Sequence, residues 1–431
     1  MIFKRQVIFL FLILITVNLL SQECFKDTLK LSLNQADSMF ILQNISLLAE
    51  KCNVDAAKAQ IIQARLFVNP TLSVNQLLYN TEYQTNGGRK WLDYTNTGET
   101  SIQIEKLFLL AGKRNKQIKL AELLANREEQ SYFDLLRTLK YSLRSSFYDI
   151  YYLQQITKVY DRGIASLSKL IEVFQGQFDK GYISKKELLR LKSSLFSLEN
   201  ERLSYSGQLI GSLSDFNVLM HTSNLYYLPI IDTSKFENIT PESLKLQELI
   251  DTASQNRFDL KMAQADVNIN QTNYGYQKAL AVPNLTLSAG WDRNGGYVHN
   301  YNFVGLQIDL PFFNRNQGNI KTAKLLEESS KYKLQSTEDQ VKADIIEAYA
   351  NALENNKLYK KFDKKFVIDL DELNGEMLKN FEKKNISLLE FIDYYDAYKE
   401  NIVQLNSLLY NRINAFENLN FSVGKDVLIN K

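Results

Sequence analysis

One long internal repeat limits the folds available to this chain. The segment PTLSV at Pro70 returns as PNLTL at Pro283, 213 positions later, and IQIEKLF at Ile102 returns as LQIDLPF at Leu306, 204 positions later. Solenoid repeats are only about 20 to 50 residues long. The much longer unit predicts two copies of a larger structure, with nine extra residues (213 − 204) between these two segments in the first copy.

Both copies contain segments in which apolar and polar residues alternate. In the second copy, Val304, Leu306 and Ile308 alternate with Gly305 and Gln307. This period predicts strands with one apolar and one polar face. We expect the strands at about 71–79, 100–108, 285–291 and 301–310. In a channel, the positions expected to face the lumen are Gln103, Glu105, Gln307 and Asp309.

A soluble sheet packed against a core would show the same alternation. The segments between the paired strands favour a membrane setting, because they are polar, rich in glycine and flanked by aromatic side chains that suit a membrane interface. These aromatic residues are Tyr79, Tyr83, Trp91, Tyr94, Trp291, Tyr297 and Tyr301.

Two stretches without proline, residues 71–228 and 312–431, permit unusually long helices. In the second stretch apolar residues recur at steps of three and four, with one longer gap between Leu353 and Phe362. A helix of about 65 residues is roughly 100 Å long, so it must pack sideways against other helices, as in a coiled coil. A filamentous coiled coil is the alternative, but it does not explain the strands. We expect the long helices at about 114–180 and 315–381.

The number of strands bears on assembly. Four strands are too few to close a membrane barrel, which needs at least about eight. Unpaired strand edges are not stable in lipid. The expected fold is therefore mainly α with a small β component: an internally duplicated chain whose long helices pack side by side as in a coiled coil, which a resemblance described below extends to an α-barrel. Its four strands would contribute to a transmembrane β-barrel shared by several identical chains.

Residues 1–22 have the pattern of a secretory signal peptide. Lys4 and Arg5 precede an apolar run from Val7 to Leu20, which is short for a membrane span. A single N-terminal anchor helix is the alternative.

Two cysteines raise further alternatives. Cys24 follows the apolar run, so a lipid anchor is conceivable, but Glu23 stands where a lipoprotein signal needs a small residue. Cys24 and Cys52 could also pair after export, although two free thiols are the simpler state.

Charge and motif content exclude several classes of function. Removing residues 1–22 deletes two positive charges and takes the formal net charge from +2 to 0, so nothing indicates a nucleic-acid partner. The two histidines, His221 and His299, lie far apart and without Cys or carboxylates at metal-ligand spacing. No nucleotide-binding, G-x-S-x-G or H-E-x-x-H motif occurs. We expect no enzyme activity, no cofactor and no metal site.

The order of these segments resembles the TolC-like outer-membrane efflux family, including its CzcC-like and CusC-like branches. Similar segments are LSLNQADSMFILQNISLLAEK, VNPTLSV, LFLLAGKRNKQI, GYISKKELL and KKNISLLEFID. Where the family often has proline in a helix break, this chain has Ile45 and Phe258. Those two substitutions put the local bend in doubt.

The resemblance implies a homotrimer in the outer membrane of a Gram-negative bacterium. Its barrel would have 12 strands and continue as a helical tunnel through the periplasm. A periplasmic adaptor (membrane fusion) protein and an inner-membrane pump of the resistance-nodulation-division, ABC or major-facilitator type would supply the substrate and the energy.

The expected division of the chain follows the repeat. A signal peptide at 1–22 precedes a first repeat at 23–218, and a connecting equatorial segment at 219–245 leads to a second repeat at 246–424. Residues 425–431 form a C-terminal tail.

The resemblance also suggests functional residues at the two helix-hairpin tips. In the family, acids at positions matching Glu390 and Asp393 line the periplasmic entrance, where threefold symmetry would make a cation-selective ring. Glu390 is alternatively the capping-box partner of Ser387. The tips are also where the family docks its adaptor, with exposed Tyr182, Ile183 and Ile386 supplying apolar contact. The matching positions are Gly181, Tyr182, Ile183, Ser184, Lys384, Asn385, Ile386 and Ser387.

We therefore expect a passive outer-membrane exit duct of a tripartite efflux system. The alternatives are a type I duct that passes unfolded protein and a periplasmic coiled-coil scaffold or adaptor without a channel. The exported substrate cannot be read from the sequence, because a passive tube inherits specificity from its pump.

Overall fold

A computed structural model describes residues 27–76, 99–295, 298–362, 364–383 and 385–428. The expected signal peptide, Cys24 and Lys384 lie outside these ranges. So do five of the aromatic residues expected at the membrane interface: Tyr79, Tyr83, Trp91, Tyr94 and Tyr297.

The described chain contains six strands and nine α-helices. The strands are β1 (Asp27–Ser32), β2 (Thr71–Gln76), β3 (Thr100–Phe108), β4 (Leu225–Ile230), β5 (Leu285–Gly295) and β6 (Val298–Ile308). The helices are α1 (Leu33–Gln43), α2 (Ile45–Arg65), α3 (Lys113–Asp179), α4 (Lys185–Leu219), α5 (Leu246–Asn256), α6 (Phe258–Leu280), α7 (Gln317–Lys361), α8 (Lys364–Glu382) and α9 (Leu388–Val423).

The chain forms two compact units. The first, which we call the helical unit, comprises Met1–Leu48, Leu135–Asn256 and Lys342–Lys431. The second, the strand-bearing unit, comprises Ala49–Asp134 and Arg257–Val341.

A four-stranded antiparallel sheet in the order β2-β3-β5-β6 lies in the strand-bearing unit. Ile104 pairs with Leu72 on one side and Ala289 on the other, and Leu306 pairs with Leu287. This register places Leu72, Ile104, Ala289 and Val304 side by side on one face of the sheet. The expectation of a mainly helical chain with four such strands is confirmed.

The helical unit contains a strand pair that the sequence analysis missed. β1 and β4 pair in parallel, with Leu31 opposite Pro229. The pairing joins segments about 200 residues apart. Pro229 has no N–H group to donate to a further strand, so it is tolerated in a sheet of only two strands. The connecting segment is thus partly ordered as a strand.

The two expected long helices differ. Helix α3 runs for 67 residues without interruption. The single helix expected over about 315–381 is wrong, because it is divided into α7 and α8 around Phe362. No proline or glycine causes this break. Phe362 instead lines a cavity beside Tyr359 and Arg412, and the longer gap in the apolar spacing before Phe362 was its only sequence signal.

The helix break between α1 and α2 forms without proline. Asn44 adopts an extended backbone, and its Oδ1 accepts the N–H of Leu47 at 3.0 Å, while its Nδ2 donates to the carbonyl oxygen of Leu219 at 2.8 Å. A side-chain oxygen that satisfies an early helix N–H is a normal N-cap. Asn44 therefore supplies the bend despite Ile45 at the next position.

Four helices of the two hairpins share a core in the helical unit. Leu191, Leu198, Phe381 and Phe391 are buried in it, and the rings of Phe381 and Phe391 stack at 4.7 Å. Further buried members of the same cluster are Ile156, Tyr160, Leu167, Leu170 and Leu388.

No helix in the described ranges is both long enough and apolar enough to cross a bilayer.

Candidate functional site

One face of the four-stranded sheet is apolar and uncovered. Its side chains are between 40% and 86% exposed, whereas apolar residues of this size normally pack against a core. We call this the apolar face. It is formed by Leu72, Val74, Ile102, Ile104, Leu287, Val304, Leu306 and Ile308.

The opposite face, here the polar face, carries three of the four residues expected to face a lumen. Gln103 and Glu105 lie on β3, and Gln307 lies on β6. Asp309 follows directly after β6 ends at Ile308. The register adds Asp292 to this face, and within the described strands no Lys or Arg side chain belongs to it. The sheet therefore separates an apolar surface from an acidic one.

Two glycines on the polar face make room for larger neighbours. A Cβ atom at Gly290 would lie 2.5 Å from the Phe303 ring, and one at Gly305 would lie 2.4 Å from the Ser288 hydroxyl. Tyr301 stacks on Phe303, with ring centroids 5.8 Å apart. Two stacked aromatic side chains therefore lie on the polar face. Their position depends on the strand register, and the alternation of apolar and polar residues in the sequence did not predict it.

The first hairpin tip connects α3 to α4. Gly181 has a positive φ of 75°, and the N–H groups of Gly181 and Tyr182 close the helix end on Phe178 and Gln177. This is a helix C-terminus that favours glycine. Ser184 then caps α4, and its N–H donates to the Glu187 carboxylate at 2.9 Å.

The second hairpin tip connects α8 to α9 and repeats this cap. The Ser387 N–H donates to the Glu390 carboxylate at 2.7 Å, and the Glu390 N–H donates to Ser387 Oγ at 3.2 Å. These hydrogen bonds lower the pKa of Glu390, so its exposed carboxylate is ionised near neutral pH. Glu390 therefore has a capping role, and Asp393 lies exposed three residues further along α9.

The other tip residues differ in exposure. Tyr182 is 73% exposed, as expected of a docking residue. Ile183 and Ile386 are half-buried, which corrects the expectation that both are exposed. Ile386 packs against the core that joins the two hairpins, and this contact depends on the tertiary fold rather than on local sequence.

The described residues contain no group of three or more His, Cys, Asp or Glu side chains placed to hold a metal ion. Cys52 is exposed on α2.

Comparison with known proteins shows which proteins this chain resembles. The model of the outer membrane efflux protein family matches residues 249–359. A cobalt-zinc-cadmium resistance protein, CzcC of Cupriavidus metallidurans, is 23% identical over 293 residues, which cover 68% of this chain and 66% of that protein, just under two thirds of its length. The family match covers 111 of the 431 residues, so the chain is similar to this family over about a quarter of its length.

Solved structures of channel proteins have the same fold. CusC matches with a TM-score of 0.73 and 15% identity, covering 93% of both chains. The CmeC outer membrane channel of Campylobacter jejuni matches with a TM-score of 0.75 and 13% identity, covering 93% of this chain and 87% of CmeC. At this identity the likeness establishes the fold.

The matched family is one of efflux proteins, and the matched CmeC structure is that of an outer membrane channel. The faces of the sheet and the two hairpin tips are therefore the regions of this chain that we consider as functional sites.

Proposed function

We propose that this chain is the outer-membrane channel subunit of a tripartite efflux system in a Gram-negative bacterium. Three copies form a passive exit duct, which receives its substrate from a periplasmic adaptor and an inner-membrane pump. A signal peptide at residues 1–22 directs export. The energy comes from the pump, since the chain carries no nucleotide-binding motif.

The exposed apolar face is the observation that carries this proposal. A sheet with one uncovered apolar face and one polar face suits lipid on one side and water on the other. The two outer strands of the sheet, β2 and β6, each leave an unpaired edge in the described chain. Pairing β2 of one copy with β6 of the next satisfies these edges, and three copies close a barrel of 12 strands.

The charge of the polar face supports cations as cargo. Glu105 and Asp292 would each occur three times around the lumen of a trimer, and Asp309 would follow at its periplasmic end. Rings of carboxylates favour cations over anions. The CzcC relative is named for resistance to cobalt, zinc and cadmium, which are divalent cations.

Glu390 and Asp393 form the periplasmic entrance in this proposal. Both are exposed and lie one turn apart on α9. Glu390 serves its helix cap and the entrance together, because the cap occupies one carboxylate oxygen, Oε2, and leaves the negative charge in place.

The two tips bind the adaptor. Exposed Tyr182 supplies apolar contact, while Gly181, Ser184, Asn385 and Ser387 fix the backbone of the tips. Lys384 belongs to the same surface in this proposal, and the half-buried Ile183 and Ile386 support it from beneath.

A pair of substitutions on β6 tests the channel. Leu306→Arg places a charge on the lipid side, which costs about 2 to 4 kcal/mol near the midplane and occurs three times in a trimer. Gln307→Arg is the matched control, since it places the same side chain on the other face. We expect the first variant to fail in membrane assembly, and the second to form a detergent-stable trimer with altered conductance in planar bilayers.

Equal assembly of both variants would contradict the assignment of the faces. A wild-type chain that is monomeric in mild detergent, with its helices retained, would contradict the trimer. A wild-type chain that is soluble without detergent after signal removal would instead be the periplasmic scaffold.

A further inference from the structure

The end of the sheet that joins the helices carries exposed phenylalanines. Phe67 precedes β2 and is 70% exposed, while Phe312 and Phe313 follow β6 and are 67% and 96% exposed. Phe108 ends β3 at the same end of the sheet, and its side chain is also exposed. These rings add exposed apolar surface at the level where the strands stop.

Two cations lie against the first of these rings. The Arg114 guanidinium stacks 3.9 Å from the centroid of Phe67, and the Lys106 ammonium lies 6.0 Å from the same centroid. Lys106 shares the apolar face with Ile104 and stands beside Leu287. If the apolar surface lies in a bilayer, a cation at its border is at the depth where lipid headgroups meet acyl chains.

The hydrogen bonds of these cations leave donors unused. Arg114 Nη2 donates to the carbonyl oxygen of Arg65, and Lys106 Nζ donates to that of Val68. Among the described residues, Nη1 of Arg114 has no acceptor, its Nε is buried without one, and neither cation has a carboxylate within salt-bridge distance. By contrast, the neighbouring Arg65 is paired with Glu122 at 3.0 Å. Two uncompensated positive charges therefore border the apolar surface.

We propose that Lys106, Arg114 and Phe67 form a binding site for the anionic phosphate headgroup of a phospholipid, whose acyl chains lie along the apolar face. The inference rests on the proposed function, because it needs the apolar face to lie in a bilayer. Charge complementarity and continuity with the apolar face select a lipid as the occupant. A second copy of the chain on this surface would leave two cations buried without a counter-charge, which is unfavourable.

Lipid retention by the purified full-length assembly tests the site. Native mass spectrometry in mild detergent, with equal phosphatidylglycerol and phosphatidylcholine added, should find that the wild type retains phosphatidylglycerol preferentially. A cation near an anionic surface contributes about fivefold to binding, so Arg114→Gln and Lys106→Gln should each lower this preference about fivefold. Lys119→Gln is the matched control, since it removes one exposed charge further along α3 and should change nothing.

A second measurement keeps both cations intact. With Trp91 and Trp291 replaced by Phe, a Phe67→Trp reporter in phosphatidylethanolamine–phosphatidylglycerol vesicles should be quenched by brominated acyl chains. An unquenched reporter overturns the site, as does cross-linking of Phe67→Cys between copies. Equal retention of both lipids by the wild type, or equal loss in all three Gln variants, also overturns it.

The same samples separate this inference from the proposed function. A conducting trimer without headgroup preference contradicts the lipid site alone. A non-conducting chain that still prefers phosphatidylglycerol contradicts the channel and leaves the site standing.

Discussion

The tip between α3 and α4 and the tip between α8 and α9 begin their second helices in the same way. Ser184 and Glu187 form one capping box, and Ser387 and Glu390 form the other, 203 positions later. Their charges differ. Residues 179–192 carry five cations and two anions, a net +3, whereas the matching residues 382–395 carry two cations and three anions, a net −1.

The shared capping boxes are a requirement of the fold, whereas the different charges of the two tips reflect what each copy does. The cap is needed wherever a helix must start at a tight turn, so both copies have it. The exposed position three residues after the capping glutamate is free to change, and it is Arg190 in the first copy and Asp393 in the second. We infer that the second tip faces a cation pathway while the first tip faces a partner or solvent.

Exchanging these two side chains should have the largest effect. Asp393→Arg changes the charge at the proposed entrance by six units in a trimer, and we expect the preference for cations over anions to fall about tenfold or more. Reversal potentials in planar bilayers under a salt gradient measure this preference.

Arg190→Asp is the matched exchange in the first tip and should leave the reversal potential nearly unchanged. An equal response of both variants would remove the distinction between the tips. If Asp393→Ala also leaves conductance, selectivity and divalent-cation block unchanged, Glu390 and Asp393 do not form a selective ring. Glu390 then serves only to cap α9.

The contact between the two hairpins should give the next largest effect. A Cβ atom at Gly163 of α3 would lie 1.6 Å from the hydroxyl oxygen of Tyr395 on α9. Gly163→Ala should therefore displace Tyr395 and destabilise the hairpin pair by about 1 to 3 kcal/mol. Hydrogen-exchange protection of α3 and α9 measures the loss.

Gly176→Ala controls for helix propensity, since no atom lies within 4 Å of a Cβ at that exposed position of the same helix. It should stabilise α3 by up to about 1 kcal/mol. Tyr395→Leu should restore protection in the Gly163→Ala chain. Loss of protection in both glycine variants would mean that helix backbone flexibility, and not the Tyr395 contact, is the cause.

The caps should give a smaller effect, of similar size in the two tips. Ser184→Ala and Ser387→Ala each remove an N-cap, which costs about 1 kcal/mol. Hydrogen exchange at the first turns of α4 and α9 should rise by a similar factor in the two variants. A much larger response at Ser387 would indicate that the second tip is under strain that the first tip lacks.

Acid should reveal the smallest effect. Hydrogen bonds from Ser184 and Ser387 lower the pKa of Glu187 and of Glu390. A lowered folded pKa stabilises the helix start above the ordinary value of about 4.3, and the stabilisation disappears as the pH falls through the lowered pKa. Carboxyl titration by NMR should find both groups below the ordinary value, and Ser387→Ala should return only Glu390 towards it.

The features that were predictable from the sequence are local. Alternation at Val304, Leu306 and Ile308 gives the strand and its faces because successive strand side chains point to opposite sides. The spacing of Ser387 and Glu390 gives the cap because the capping box spans only four residues. The absence of proline permits the uninterrupted α3.

The features that were not predictable depend on distant parts of the chain. β1 and β4 pair across about 200 residues, and neither segment is long enough to identify itself as a strand. Ile386 is half-buried because of the other hairpin, and Phe303 lies over Gly290 because of the sheet register. The Phe67 site joins residues from three separate segments, so no single motif contains it.

The unpaired edges of β2 and β6 also have a genetic consequence. In a ring of three copies, each β6 edge is completed by the β2 edge of a neighbour, so the contact is head to tail and every copy contributes to two seams. A copy whose β6 edge cannot pair, for example one with Tyr301→Pro, would open a ring built otherwise from normal copies. When such a copy is expressed equally with the wild type, only about one ring in eight would contain no defective copy. Edge mutations should therefore be dominant, whereas substitutions in the Asn44 cap should be recessive, because they act within the copy that carries them.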